Sequence, residues 1–212
     1  DPRRGGPVTV AASLSGARAR QSTQVTLFYQ ALKTDADRIR QLLDNTPGGD
    51  RITLKPTYVS EASQMRWGRQ LTAEFAKQVQ DFDAVHIHGV WEPVLMHIAR
   101  RARQHGVAYL VRPAGALIDQ CMQQSRWKKK IALQLGVQKM LNRAAAIHYL
   151  KPYEMEQSQP VAHRTTSIIV PSGVHVTARD QMGDLPPIQQ DHPQISDAGY
   201  FVFLGRLHPI KG

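Results

Sequence analysis

Two histidines one residue apart, His86 and His88, are followed at once by Gly89. On a β-strand, side chains two apart share a face, so both rings point the same way. Three chemistries fit this pair. A zinc pair needs further ligands, and no third residue stands at a suggestive spacing. A packed histidine suits His86. His88 is the better site residue, because ligands of parallel α/β sheets bind beyond the carboxyl ends of strands.

A second group is the run Arg4-Gly5-Gly6-Pro7. Paired glycines let backbone approach a ligand closely. Pro7 fits the first turn of a helix, where a missing N–H costs little. The N–H groups of such a turn suit an anion, and Val8, Val10, Ala11 and Leu14 then form the inner face of the helix. A third group, Arg112 to Leu117, reads either as a tight turn needing Gly115 or as a substrate-side loop. A fourth, Gly205 to Gly212, sets Arg206 and Lys211 five residues apart, a spacing with which two cations can neutralise a diphosphate.

The elements that must hold these residues show in the apolar pattern. β-rich runs fall at 24–29, 51–58, 84–88, 107–111, 145–150, 166–171 and 200–204. Helical spacing lies between most of them. Leu95, Ile98, Ala99 and Ala102 form one apolar stripe, and Gly106 sits where a helix-ending glycine belongs. Trp127, Ile131 and Leu135 form another stripe, Ile39, Leu42 and Leu43 mark a shorter helix, and a further helix is expected over 65–79. Strand–helix alternation with nearly all-apolar strands predicts an α/β fold, a Rossmann-like parallel sheet with flanking helices. In such a sheet the glycine loop follows a first strand. None precedes Gly5 here, so the first strand is expected to be missing and the chain reads as a piece of a longer protein. The division expected is a domain over 1–177, a Pro- and Gly-bearing linker over 178–198, and the first strand and loop of a second domain over 199–212.

Composition narrows the class. The chain has 212 residues, of which 42% are hydrophobic and 21% charged, ordinary values for a folded chain. No apolar run approaches the roughly 18 residues of a membrane span. A single cysteine, Cys121, excludes an internal disulfide and a cysteine-based zinc cluster. The formal net charge is +10, and the segment 95–151 alone carries eleven bases against one acid, Asp119. That segment is either a solvated basic face or a surface for phosphate-rich partners such as anionic lipid, a lipid-linked acceptor or nucleic acid. Few aromatics accompany the bases, which argues against a platform for stacking single-stranded nucleic acid.

In order and spacing, these pieces resemble family 4 of the retaining glycosyltransferases, built on the two-domain GT-B fold. The motifs are Gly5-Gly6-Pro7, the run from Asp83 to Trp91, Arg112 to Leu117, Lys128-Lys129-Lys130, Ala144 to His148 leading to Glu154, Ile169 to Val174, and Gly205-Arg206 through Lys211-Gly212. The resemblance implies the acceptor-side N-terminal half of such an enzyme plus the start of the donor-binding half. It implies hexosyl transfer from a nucleotide-sugar to a glycan or lipid-linked acceptor with retained configuration. Arg206 and Lys211 would contact the donor diphosphate, Gly5 and Gly6 would offer backbone N–H groups, and of the two candidate catalytic residues His88 would line the acceptor side and Glu154 would lie near the cleft. Neither cofactor nor metal is expected, nor a nucleic-acid partner. The expected location is cytoplasmic, with an anionic membrane surface at the inner face of the cell membrane as a further partner. Two departures stand out: Ala114 where many relatives have histidine, and Pro171-Ser172-Gly173-Val174-His175 in place of a commoner Pro-Asn-Gly-Val-Asp. The alternative reading is a non-catalytic phosphate- or nucleic-acid-binding α/β module. Within enzymes, an epimerase or phosphorylase of the same fold also remains open.

Overall fold

The computed structural model describes residues 6–60, 67–158, 161, 163–173 and 192. The chain divides into two units, Asp1–Gly173 and Val174–Gly212, and the first carries the elements that follow. Apart from His192, the expected linker over 178–198 lies outside the described residues, as does the strand at 200–204.

Every described strand pairs in parallel. Helix α1 (Gly6–Arg20) leads into β1 (Val25–Leu32), α2 (Ala36–Asp44) and β2 (Ile52–Val59), and β1 pairs with β2. Helix α3 (Arg69–Gln78) then precedes β3 (Ala84–His88), α4 (Pro93–Gln104) and β4 (Ala108–Arg112). A run of short helices follows: α5 (Asp119–Gln123), α6 (Arg126–Ala132), a π turn over Leu133–Val137 and α7 (Gln138–Asn142). The unit ends with β5 (Ala146–Tyr149), α8 (Pro152–Gln157) and β6 (Ser167–Ile169). Strands β3 to β6 form one ladder in chain order, and β1 and β2 form another. Among the described residues, the two ladders share no hydrogen-bonded pairing.

Local sequence accounts for the elements. Pro93 and Pro152 open α4 and α8, where a missing N–H is harmless. Lys55 and Pro56 sit within β2, which pairs only with β1 among the described residues, and proline is tolerated on an edge strand. Val94, Ile98, Ala99 and Ala102 turn the buried face of α4 onto the core beneath β3 and β4. Phe28 of β1 packs edge-on against Phe75 of α3 and against Phe82 just ahead of β3, at 5.5 and 5.8 Å.

Two helices differ from the sequence expectation. In α1 the most buried positions are Ala12, Gly16 and Ala19, while Val8, Val10, Ala11 and Leu14 are half-buried. Close backbone approach explains this: a Cβ at Gly16 would collide with the carbonyl oxygen of Pro47. The helix marked by Trp127, Ile131 and Leu135 is present, but all three side chains face solvent. Its packed face is Val137, Met140 and Leu141, all buried, with Leu133 half-buried against the same core. Gly136, at φ 150°, kinks the segment between the exposed and packed parts.

Candidate functional site

Three strands end level with one another and bring polar side chains to one edge. His88 on β3 is in register with Arg112 on β4. Continuing the pairing of Leu110 with Ala146 and Val111 with Ile147 sets His148 on β5 level with Arg112. His88, Arg112 and His148 thus form a row on one face at the carboxyl end of the ladder, with His86 one pleat deeper. Their neighbours on the opposite face, Ile87, Val111 and Ile147, are core residues.

The histidines touch. Rings of His86 and His88 lie 4.5 Å apart, and those of His86 and His148 lie 5.2 Å apart. The Val170 carbonyl can only accept, so His148 Nε2 carries a proton and donates to it at 2.8 Å. With one proton on each ring, His86 Nε2 donates to His148 Nδ1 at 3.3 Å. Burial pulls the His86 pKa down to about 4, and its electrostatic interactions with His148 and Arg112 lower it further. Burial pulls His88 to about 3, reinforced by His86, Arg112 and His148. Both rings are therefore neutral near pH 7, able to accept a proton or a hydrogen bond.

Arg112 supplies the charge. Its side chain is buried, at 2% exposure, and one terminal nitrogen donates to Ser172 Oγ at 2.7 Å. Its Nε has no partner among the described residues. Burial lowers its pKa, and the Glu154 carboxylate opposes that shift.

Glu154 is engaged with backbone. Oε1 accepts from the Gly115 amide at 2.5 Å, and Oε2 accepts from the Leu150 amide at 2.8 Å. This buried carboxylate clips the 113–116 turn to the start of α8. The turn closes with the Ala116 amide donating to the Pro113 carbonyl at 3.1 Å, and both central residues, Ala114 and Gly115, have positive φ (52° and 80°). Trp91 adds a second tie, its Nε1 donating to the Ala116 carbonyl at 3.1 Å. Glu154 therefore positions the loop beside Arg112.

Of the residues expected from sequence, His88 and Glu154 come to the same end of the ladder. Gly6 is the first residue of α1. Gly5, Arg206 and Lys211 lie outside the described residues. Arg112 was read from sequence only as the start of a candidate substrate-side loop and His148 only as the end of a motif, and neither was placed in a row with His88. The available signal was a polar residue near the end of each of three consecutive apolar strands. Among the described residues, no group of three or more His, Cys, Asp or Glu side chains is arranged to hold a metal ion.

Comparison with known proteins places this geometry. The family described as glycosyl transferase 4-like domain matches residues 5–170. None of the curated proteins compared with the chain matches it. Among solved structures, Anabaena HepE, crystallised in complex with UDP and glucose, is similar with a TM-score of 0.58 at 12% identity. The match covers 90% of this chain and 47% of that one, so the chain spans about half the length of this neighbour. At that identity the likeness establishes the fold, an α/β Rossmann-like domain of GT-B type.

Proposed function

The chain belongs to the glycosyl transferase 4-like family, and on that footing we propose that it is the acceptor-side domain of an enzyme that transfers a hexosyl group from a nucleotide-sugar. The acceptor is a glycan or a lipid-linked acceptor, and the anomeric configuration is retained. The observation that carries this reading is the row of His88, Arg112 and His148 at the carboxyl edge of a parallel ladder, inside a domain matched over residues 5–170. HepE's complex with UDP and glucose supports a nucleoside-diphosphate sugar as the donor class.

Each residue then has a task. His88, neutral and lining the edge, accepts a hydrogen bond from the acceptor or the transferred sugar. Arg206 and Lys211 grip the donor diphosphate, whose negative charge grows as it leaves, and that electrostatic stabilisation is the main catalytic term. Gly5 and Gly6 offer backbone N–H groups to the same phosphates. Glu154 holds the 113–116 turn in place. The reading needs no metal, because the cations serve the leaving group. No helix of the described residues is long and apolar enough to cross a membrane; the basic segment 95–151 gives contact with an anionic membrane surface from the cytoplasmic side.

The test is turnover by the protein carrying its donor-binding half, followed as nucleoside diphosphate release, with the product anomer read by NMR. His88→Ala should lower the transfer rate about tenfold, the worth of one hydrogen bond. The 212-residue chain alone should show no turnover. Salt-sensitive nucleic-acid binding without nucleotide-sugar binding would instead favour the non-catalytic reading.

A further inference from the structure

Trp127, Ile131 and Leu135 are exposed at 64%, 45% and 76%. Scattered exposed apolar residues are ordinary. A tryptophan, an isoleucine and a leucine along one helical stripe form a patch, and a patch marks a surface that something covers. The fold does not need these side chains, since Val137, Met140 and Leu141 beyond the Gly136 kink already anchor the segment. Lys129 anchors it as well, donating to the Cys121 carbonyl and lying 5.5 Å from the Trp91 ring centroid.

The charge around the stripe points to its occupant. Arg126, Lys128 and Lys130 are exposed beside it. None has a carboxylate partner among the described residues, and the sequence holds no acid between Asp119 and Glu154. Lys128 lies 5.4 Å from the Trp127 ring centroid, an amphipathic pairing of ring and ammonium that suits a boundary between water and hydrocarbon. A short helix with an apolar stripe between unpaired cations is the pattern of an element that lies in a membrane interface.

We propose that α6 and the π turn after it dock the protein on an anionic lipid bilayer. Trp127, Ile131 and Leu135 enter the interface, and Arg126, Lys128 and Lys130 meet the headgroup phosphates. The proposal rests on the transfer reading only for its purpose, which is to bring the site to a lipid-linked acceptor. The docking itself stands on the exposed stripe and its cations.

Flotation of the 212-residue chain with vesicles tests it. The chain should float with phosphatidylcholine vesicles containing phosphatidylglycerol and stay behind with phosphatidylcholine alone, and added salt should weaken the binding. Each of Arg126→Glu, Lys128→Glu and Lys130→Glu should weaken it by about fivefold or more. The triple variant Trp127→Ser, Ile131→Ser, Leu135→Ser should stay behind while melting at the wild-type temperature, because its targets are exposed. Brominated lipid should quench tryptophan fluorescence in wild type, and Trp127→Phe should still float but lose that quenching. Equal flotation with neutral and anionic vesicles would overturn the proposal, as would flotation of the triple serine variant. A lipid-free dimer that the serine variant abolishes would give the stripe to a second copy and overturn it too. Sugar transfer to a water-soluble acceptor, by the protein carrying its donor-binding half, is read separately. Its loss with flotation intact strikes the transfer reading alone, and its persistence with flotation lost strikes the docking alone.

Discussion

Glu154 Oε1 accepts a hydrogen bond from the Gly115 amide at 2.5 Å across 39 residues of chain, while Oε2 accepts from the Leu150 amide at 2.8 Å. One buried carboxylate thus joins the turn beyond β4 to the turn beyond β5. Glu154→Gln keeps the shape but must aim an NH2 at one of the two N–H donors. Losing one charge-assisted hydrogen bond and leaving a donor unmet costs about 2 kcal/mol, or roughly 4–8 °C in a domain of this size. Thermal melts of the two proteins check this. A Gln variant melting with wild type would show that the clip contributes nothing.

Ala114 holds φ at 52° inside that turn. A non-glycine residue there costs about 1–2 kcal/mol. Ala114→Gly removes the strain and should stabilise the chain by about 1 kcal/mol, offset in part by the freer unfolded state. The neighbouring change Gly115→Ala, at φ 80°, should destabilise by a similar amount although open space surrounds that position. Paired denaturant titrations give both signs at once, and a destabilised Ala114→Gly variant would contradict the reading.

Acid should weaken the fold through the histidine pair. His86 and His88 titrate near 4 and near 3 in the folded chain, below the ordinary 6.5. As pH falls below about 6.5 the unfolded chain takes up protons that the folded chain refuses. Stability is therefore full above that pH and is lost progressively on the way down to 4 and then 3. The limiting slope is about 1.4 kcal/mol per pH unit for each ring. Melting temperature measured from neutral pH down to about pH 5 should fall steeply, and His88→Phe should make the fall shallower.

Much of this was legible in the sequence, and the exceptions have causes. Six of the seven strand runs lie in the described region, and all six form strands, because β-rich apolar runs between helices leave little choice. Periodicity found helix α6 but not its orientation. Two apolar stripes share that segment, Trp127-Ile131-Leu135 and Leu133-Val137-Met140, and only packing decides which one faces inward. In α1 the larger apolar residues suggested the buried face, whereas close approach to the Pro47 carbonyl selects Ala12, Gly16 and Ala19. His88 was visible from its own strand. Arg112 and His148 were visible within their own motifs, but their row with His88 was not, because level alignment is a property of register between strands 24 to 36 residues apart.

That close approach also constrains how α1 can change. A Cβ at Gly16 would collide with the Pro47 carbonyl oxygen and lie 3.0 Å from the Thr46 methyl group. The nearer obstacle is backbone, so α1 must move away. Gly16→Val should cost about 1–3 kcal/mol. It should also shift the start of the helix at Gly6, weakening donor binding by the full enzyme more than acceptor binding. Unchanged donor affinity in a folded Gly16→Val variant would separate α1 from the donor site.

Arg112 separates structural from functional roles most sharply. Its guanidinium is buried with an unpartnered Nε and no ion pair among the described residues, an arrangement that costs stability rather than supplying it. Ser172, which accepts its hydrogen bond, is exposed and can turn to water when the arginine is gone. Arg112→Met keeps the volume and removes the charge. The melting temperature should hold or rise, because the buried Glu154 carboxylate keeps both its backbone hydrogen bonds and the attraction it loses is offset by removing a buried charge. Removing the positive neighbour should also raise the His88 pKa, since Arg112 is one of the charges that depress it. If Arg112 only filled space, sugar transfer would survive the change. If it meets an anionic group of the substrate, transfer should fall by ten- to a hundredfold, the worth of about 1.4–3 kcal/mol for a hydrogen bond to a charged group. Melting temperature, the NMR titration of His88 and the transfer rate are three readouts of one variant. A large loss of stability would refute this role for Arg112, because it would make the buried charge a net support of the fold.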